Sequence, residues 1–155
     1  MSSTTANRRF TLDANVLVYA AVADDPERHR VAHALMKRAV AADCVLIVQA
    51  LAEFFAASTR KAKLSANRAS SLVESWLELF PCHGATSSTL QRALQTRAMH
   101  RFSFWDAMLW AAARDAGCRY LLSENFQAGR TLEGVTFVNP FAPGGLPEEV
   151  ERALG

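Results

Sequence analysis

Three carboxylates define the chemistry open to this chain. Asp13 follows the apolar run Phe10-Thr11-Leu12 and precedes Asn15 and a second apolar stretch, Val16-Leu17-Val18-Tyr19. Glu53 comes a few residues after Val45-Leu46-Ile47-Val48, and Asp106 sits among Phe104, Trp105 and Leu109. Taken singly, each has a structural explanation. Asp13 can cap the next helix, and Glu53 suits the positive end of a helix dipole. Ser103-Phe104-Trp105-Asp106 has capping-box spacing, with Asp where Glu or Gln is preferred. Taken together they say more. The carboxyl ends of parallel strands share one edge, which is where open α/β sheets bind ligands. Acids that converge there repel unless a cation lies among them, and an uncompensated Asp106 among apolar neighbours is costly. Hard oxygen ligands with no Cys or His nearby point to Mg²⁺ or Mn²⁺ rather than zinc. Such an ion activates water and neutralises charge at a phosphoryl centre.

Polar residues accompany the acids. Asn15 is either a helix-start residue or an amide that orients Asp13. Ser123-Glu124-Asn125 follows the strand Tyr120-Leu121-Leu122 and so reaches the same rim. Asn125 offers a carbonyl oxygen without charge, and Glu124 is expected to point outward. No acid falls between Glu53 and Glu74, where Arg60, Lys61, Lys63 and Arg68 lie. None falls between Glu78 and Asp106 either, a stretch holding Arg92, Arg97 and Arg101. The middle third is therefore locally basic, as a phosphate-facing surface or as a solvated helix face.

The elements that must position these groups alternate in type. Strands are expected at Phe10–Leu12, Val45–Val48, Tyr120–Leu122 and Val135–Val138, with a short edge strand near Leu79-Phe80-Pro81-Cys82-His83. The continuous apolar runs suit strands buried on both faces, and proline is tolerated at an edge. Helices are expected from Ala14 to Ala23, from Pro26, from Gln49 to Lys61, after Ser65 to Trp76, from Ser87 or Ser88 to Met99, and from Ser103 to a stop at Gly117. Strands alternating with helices imply a mostly parallel sheet. From Pro140 the chain turns rich in Pro and Gly, and Pro147-Glu148-Glu149 suits the first turn of a short terminal helix. That tail can dock on the body, pack on a second subunit or fray.

At 155 residues the chain is long enough for one domain with a proper core. Its formal charge of +2 is too small to declare a nucleic-acid partner by itself. Three cysteines, Cys44, Cys82 and Cys118, make neither a disulfide framework nor a CxxC zinc pair and fit a reducing cytoplasm. The first nine residues lack the apolar core of a secretory signal. The most apolar stretch, 44–57, is broken by Gln49 and Glu53, so no membrane span is expected.

The segments Leu12-Asp13-Ala14-Asn15, Gln49-Ala50-Leu51-Ala52-Glu53-Phe54 and Phe102-Ser103-Phe104-Trp105-Asp106-Ala107 resemble those of PIN-domain ribonucleases, in particular toxins of VapBC-type toxin–antitoxin pairs. Leu121-Leu122-Ser123-Glu124-Asn125 and Val138-Asn139-Pro140-Phe141 complete the pattern. The resemblance implies a PIN-like three-layer α/β/α fold with a central, mostly parallel sheet of about four to five strands. It covers residues 9–141, leaving 142–155 as a Pro/Gly linker with a short helix or tail. It also implies a Mg²⁺- or Mn²⁺-dependent endoribonuclease, dimeric and cytoplasmic, inhibited by a small cognate antitoxin whose C-terminal segment covers the site. By position, Asp13, Glu53 and Asp106 match the family's metal-binding acids, and Asn15 and Ser123 its polar surround. Asn125 stands where related sequences commonly carry a fourth acid, which leaves three carboxylates. Arg60, Lys61 and Lys63 are the expected contacts to RNA phosphates.

Two other readings compete. A catalytically weakened module that only binds RNA or antitoxin fits Asn125, but would not need Asp13, Glu53 and Asp106 together. Asp13-Ala14-Asn15 also faintly resembles the start of haloacid-dehalogenase phosphatases. That chemistry wants an acid two residues after the nucleophile, which Asn15 cannot supply, and the late pair of acids is missing.

Overall fold

Three short strands carry the site: β1 (Phe10–Leu12), β4 (Tyr120–Leu122) and β6 (Val135–Val138). They run parallel, with β4 in the middle. In the computed structural model, which describes residues 7–155, β5 (Thr131–Leu132) adds an antiparallel edge and gives the order β1-β4-β6-β5. β2 (Leu46–Ile47) and β3 (Cys82–His83) form a separate parallel pair. A bridge between Phe10 and Cys44 joins this pair to β1, with the Val45 amide donating to the Phe10 carbonyl at 3.0 Å. The result is the expected α/β fold with a mostly parallel sheet. The reading that no secretory signal precedes β1 bears mainly on residues 1–6, outside those described.

Helices cover the sheet: α1 (Ala14–Ala21), α2 (Pro26–Ala39), α3 (Val48–Thr59), α4 (Ala66–Leu79), α5 (Ser87–His100) and α6 (Phe104–Asp115). β1, β4 and the inner side of α6 form the centre of the core. Phe10, Leu12, Leu121, Leu122 and Trp110 are fully buried there. Alanines at 107 and 111–113 let α6 approach closely, and Trp110 satisfies its indole N–H on the Leu132 carbonyl at 3.2 Å.

Several boundaries differ from the sequence reading, each for a local reason. Val48 begins α3 rather than ending a strand, and its side chain is 45% exposed. α3 stops at Thr59, and a 3₁₀ turn (Arg60–Ala62) follows with Lys61 at φ 59° and Ala62 at φ 53°. Thr86, not Ser87 or Ser88, caps α5, because Thr86 and Thr89 exchange side-chain-to-backbone bonds. β5 has no counterpart in the sequence reading. It is only two residues long and depends on a tight turn with Glu133 and Gly134 both at positive φ, conformations a sequence pattern signals weakly. The terminal helix α7 (Glu148–Ala153) docks on the body. Val150 and Leu154 enter the common core, and Arg38 pairs with Glu151 at 2.8 Å. Among the described residues, no helix is long and apolar enough to cross a membrane.

Candidate metal centre

Because β1, β4 and β6 are parallel, their carboxyl ends lie side by side, and the residues that follow them meet. The Asp13 amide donates to the Leu122 carbonyl at 2.9 Å, and the Ser123 amide to the Val138 carbonyl at 2.8 Å. This ladder brings Asp13 and Ser123 together although they are 110 residues apart. The Ser123 hydroxyl donates to Asp13 Oδ2 at 2.7 Å. Asp13 is also the N-cap of α1, its Oδ1 accepting from the Ala14 amide at 2.6 Å. The capping role and the site role are therefore one geometry: the cap bond aims the carboxylate along the positive end of α1.

Asn15 lies one step further along α1. Its amide nitrogen donates to Ser123 Oγ at 3.1 Å and, at 3.4 Å, to Asp13 Oδ2. Its carbonyl oxygen is buried and has no partner among the described residues. The Asn125 amide also donates to Ser123 Oγ, at 3.0 Å. Ser123 thus collects two donors and passes its one proton to Asp13, a fixed polarity that orients the carboxylate. The Asn125 side chain itself makes no hydrogen bond among the described residues, and the residue is exposed.

Glu53 and Asp106 approach from helices. Glu53 Oε1 accepts from Gln49 Nε2 at 2.6 Å, and the same nitrogen lies 2.9 Å from the Trp105 carbonyl. Gln49 therefore ties α3 to the first turn of α6, beside Asp106. Sequence reasoning does not single it out; its signal is the four-residue spacing from Glu53, one helical turn. Ser103 caps α6 through the Asp106 amide at 3.2 Å, which leaves the Asp106 carboxylate free.

Asp13 feels both acids. Its carboxyl is raised from 3.8 to about 6, first by burial and further by the charges of Glu53 and Asp106. The bonds from Ser123 and Ala14 pull the other way and are outweighed. Among the described residues, no ion pair takes Asp13, Glu53 or Asp106, whereas nine others are formed elsewhere, so these acids are left without a cation by the chain itself. No three Cys, His, Asp or Glu side chains among the described residues stand close enough to close around one ion. What the rim offers is carboxylate oxygens together with the orphaned Asn15 carbonyl. That donor set is hard and anionic, and it fits Mg²⁺ or Mn²⁺ rather than a thiolate- or imidazole-seeking metal.

The expected phosphate contacts separate in space. Arg60 and Lys63 line a cleft of about 450 Å³ together with Asn15 and Glu53. Lys63 is already paired with Asp24 at 2.7 Å. Lys61, held at positive φ, is not among the residues that line the cleft. Among the described residues, Arg60 is the lining cation that enters no ion pair.

Glu124 does not point outward as expected. It accepts from the Tyr19 hydroxyl and from Arg28 Nε at 3.0 Å, and its side chain is only 21% exposed. Arg28, also paired with Asp25, lies over the Tyr19 and Phe141 rings at 5.7 and 5.9 Å. This cluster pins the 123–125 turn to α1, α2 and the segment after β6. Burial and the bond to Glu124 push the Tyr19 hydroxyl up to about 12.

The sequence matches the PIN domain family over residues 10–131, most of the chain, and the protein belongs to that family. A search of curated proteins finds no match. Among solved structures, the fold is similar to the sarcin–ricin-loop-cleaving toxin VapC20 of Mycobacterium tuberculosis, at 18% identity and TM-score 0.59, covering 72% of this chain and 86% of the toxin. It is similar to a chain of a toxin–antitoxin complex from Klebsiella pneumoniae, at 14% identity and TM-score 0.58, covering 81% and 94%. VapBC2 of Rickettsia felis, bound to a DNA fragment from its promoter, matches at 12% identity and TM-score 0.59, covering 83% and 96%. At these identities the likeness is one of fold.

Proposed function

We propose that the protein is a Mg²⁺- or Mn²⁺-dependent endoribonuclease acting as the toxin of a toxin–antitoxin pair. The observation that carries the reading is the buried Asp13 carboxylate, raised to about 6 and facing Glu53 and Asp106 with no cation of the chain to compensate them. A purely structural cap would not need the two further acids. Asp13, Glu53, Asp106 and the Asn15 carbonyl would supply the oxygens, with Asn125 as a further neutral one, and the three acids, which do not close around one point without an ion, would draw together on binding it. When bound, the ion would lower the pKa of a water and offset charge at the scissile phosphate. The chain's own groups prepare that site. Ser123 and the Asn15 amide orient Asp13, and Gln49 orients Glu53. Arg60, exposed and uncompensated on the adjoining cleft, attracts the flanking phosphate. Membership of the PIN family and the toxin folds it resembles support an RNA substrate and a small antitoxin that covers this rim, with a homodimer as the functional unit in the cytoplasm.

Purified protein incubated with RNA should cleave it in Mg²⁺ or Mn²⁺ and stop in EDTA, and Asp13→Asn should lose at least about a hundredfold in rate, the scale of one removed electrostatic group in an active site. Cleavage unchanged in EDTA sinks the metal mechanism. RNA binding without any cleavage, with the metal present, favours the weakened binding module that Asn125 allows.

A further inference from the structure

The cations of α2 and α4 are not compensated evenly. On α2, Arg28 pairs with Asp25 and Glu124, Arg30 with Glu27, and Arg38 with Glu151. Lys37 on α2 and Arg68 on α4 enter no ion pair among the described residues, and these two line the same cleft. His29, His33 and Lys37 recur every fourth residue, so they form one stripe along α2 about 12 Å long. The His29 and His33 rings are 5.6 Å apart. The cleft is about 380 Å³, has Met36, Leu72 and Trp76 among its apolar lining, and is lined by no carboxylate among the described residues. His29 Nδ1 lies 2.8 Å from the Tyr19 carbonyl, an acceptor only, so that nitrogen carries the proton and the ring is held in place.

We propose that this cleft between α2 and α4 is a second anion site, distinct from the carboxylate rim, that holds backbone phosphates of a single-stranded RNA away from the scissile bond. The assignment rests on the ribonuclease reading. It extends that reading to how the substrate is gripped. Two cations, Lys37 and Arg68, line the cleft beside two imidazoles that can donate hydrogen bonds, with no carboxylate among the described lining to answer them. The position suits a strand that also reaches the rim. α1 begins next to Asp13, ends at Ala21 against this cleft, and is about 12 Å long. Arg60 lines a neighbouring cleft together with Asn15, Val18 and Tyr19 of that helix and with Glu53. Spaced cations along one path match phosphates spaced along one strand. An acidic peptide helix is the less suited occupant, because the apolar lining, Ala20, Ala21, Met36, Leu72 and Trp76, is interrupted on α2 by His29, His33 and Lys37 where a docking helix needs a continuous apolar stripe.

The test is the affinity of the full-length protein for a short fluorescein-labelled oligouridylate, measured by anisotropy in EDTA across a salt series. The double substitution Lys37→Glu/Arg68→Glu leaves the rim untouched. It should weaken binding about tenfold or more and flatten the slope of log K against log salt by about 1.4, or about 0.7 for each phosphate no longer neutralised. Lys37→Gln/Arg68→Gln, which avoids new repulsion, should flatten the slope to the same extent while melting like wild type. An unchanged slope in the folded Gln variant overturns the proposal, as does wild-type protein that fails to bind the oligouridylate at low salt. Loss of binding to an oligoglutamate peptide with oligouridylate affinity kept also overturns it, in favour of a peptide site. Binding is read without metal, so an absence of RNA cleavage counts against the ribonuclease reading and leaves this measurement standing.

Discussion

Replacing Asp13 by Asn is expected to stabilise the metal-free protein while abolishing its activity. The folded-state pKa of about 6 lies well above the ordinary 3.8. At about 1.4 kcal/mol per pH unit, the ionised carboxylate costs the fold about 3 kcal/mol. The sign follows from which state holds the proton more tightly. With the folded pKa raised, the group favours folding below about pH 4, and that advantage is lost as pH rises through about 6. Above about pH 6 the whole penalty is in force. Asn does not titrate. It keeps an acceptor for the Ala14 amide but leaves the Ser123 hydroxyl, already bonded by Asn15 and Asn125, without its anionic acceptor. That loss takes back about 1 kcal/mol. The net gain at about pH 8 is about 2 kcal/mol, or about 4–8 °C in Tm for a chain of this size. Circular-dichroism melts in EDTA at pH 8 and at pH 4 read it directly. At about pH 4 the two proteins should differ by less than about 1 kcal/mol. An Asn variant that melts at or below wild type at the higher pH, or an increment equal at both pH values, refutes the electrostatic account of this site. Added Mg²⁺ should raise the wild-type Tm by mass action and leave the variant unmoved.

Asn125→Asp should tighten Mn²⁺ binding on the order of tenfold in titration calorimetry, since it adds a charge within several ångströms of a divalent ion; no change places residue 125 away from the ion. Tyr19→Phe removes the hydroxyl bond to Glu124 and should lower stability by about 1 kcal/mol, read as a lower urea midpoint at constant m-value. An unshifted midpoint means that the Tyr19–Glu124–Arg28 cluster does not brace the 123–125 turn.

Much of the fold is legible in the sequence because its signals are local. The apolar runs at 10–12, 120–122 and 135–138 suit only buried strands, and Ser65, Ser103 and Pro26 mark helix starts where they occur. The differences fall where local patterns are short. β5 rests on a two-residue turn, and Val48 belongs to a helix although it continues an apolar run. At the site, Asp13, Glu53 and Asp106 stand out by type and by their place at strand and helix ends. Glu124 escapes a reading from sequence because its partners, Tyr19 and Arg28, are about a hundred residues away, and no pattern around Ser123 signals them.

Residue type and spacing alone determined that this is a mostly parallel α/β protein and singled out three acids, Asp13, Glu53 and Asp106. Strand direction obliges the residues after parallel strands to share an edge. Only the tertiary structure decided how those acids are held. Asp13 is bonded by Ser123, Glu53 is turned by Gln49, and Lys63 is spent on Asp24 while Arg60, Lys37 and Arg68 are left uncompensated. Each of these depends on the meeting of distant segments, and on burial, which sets whether a charge is shielded by water or must be answered by a partner.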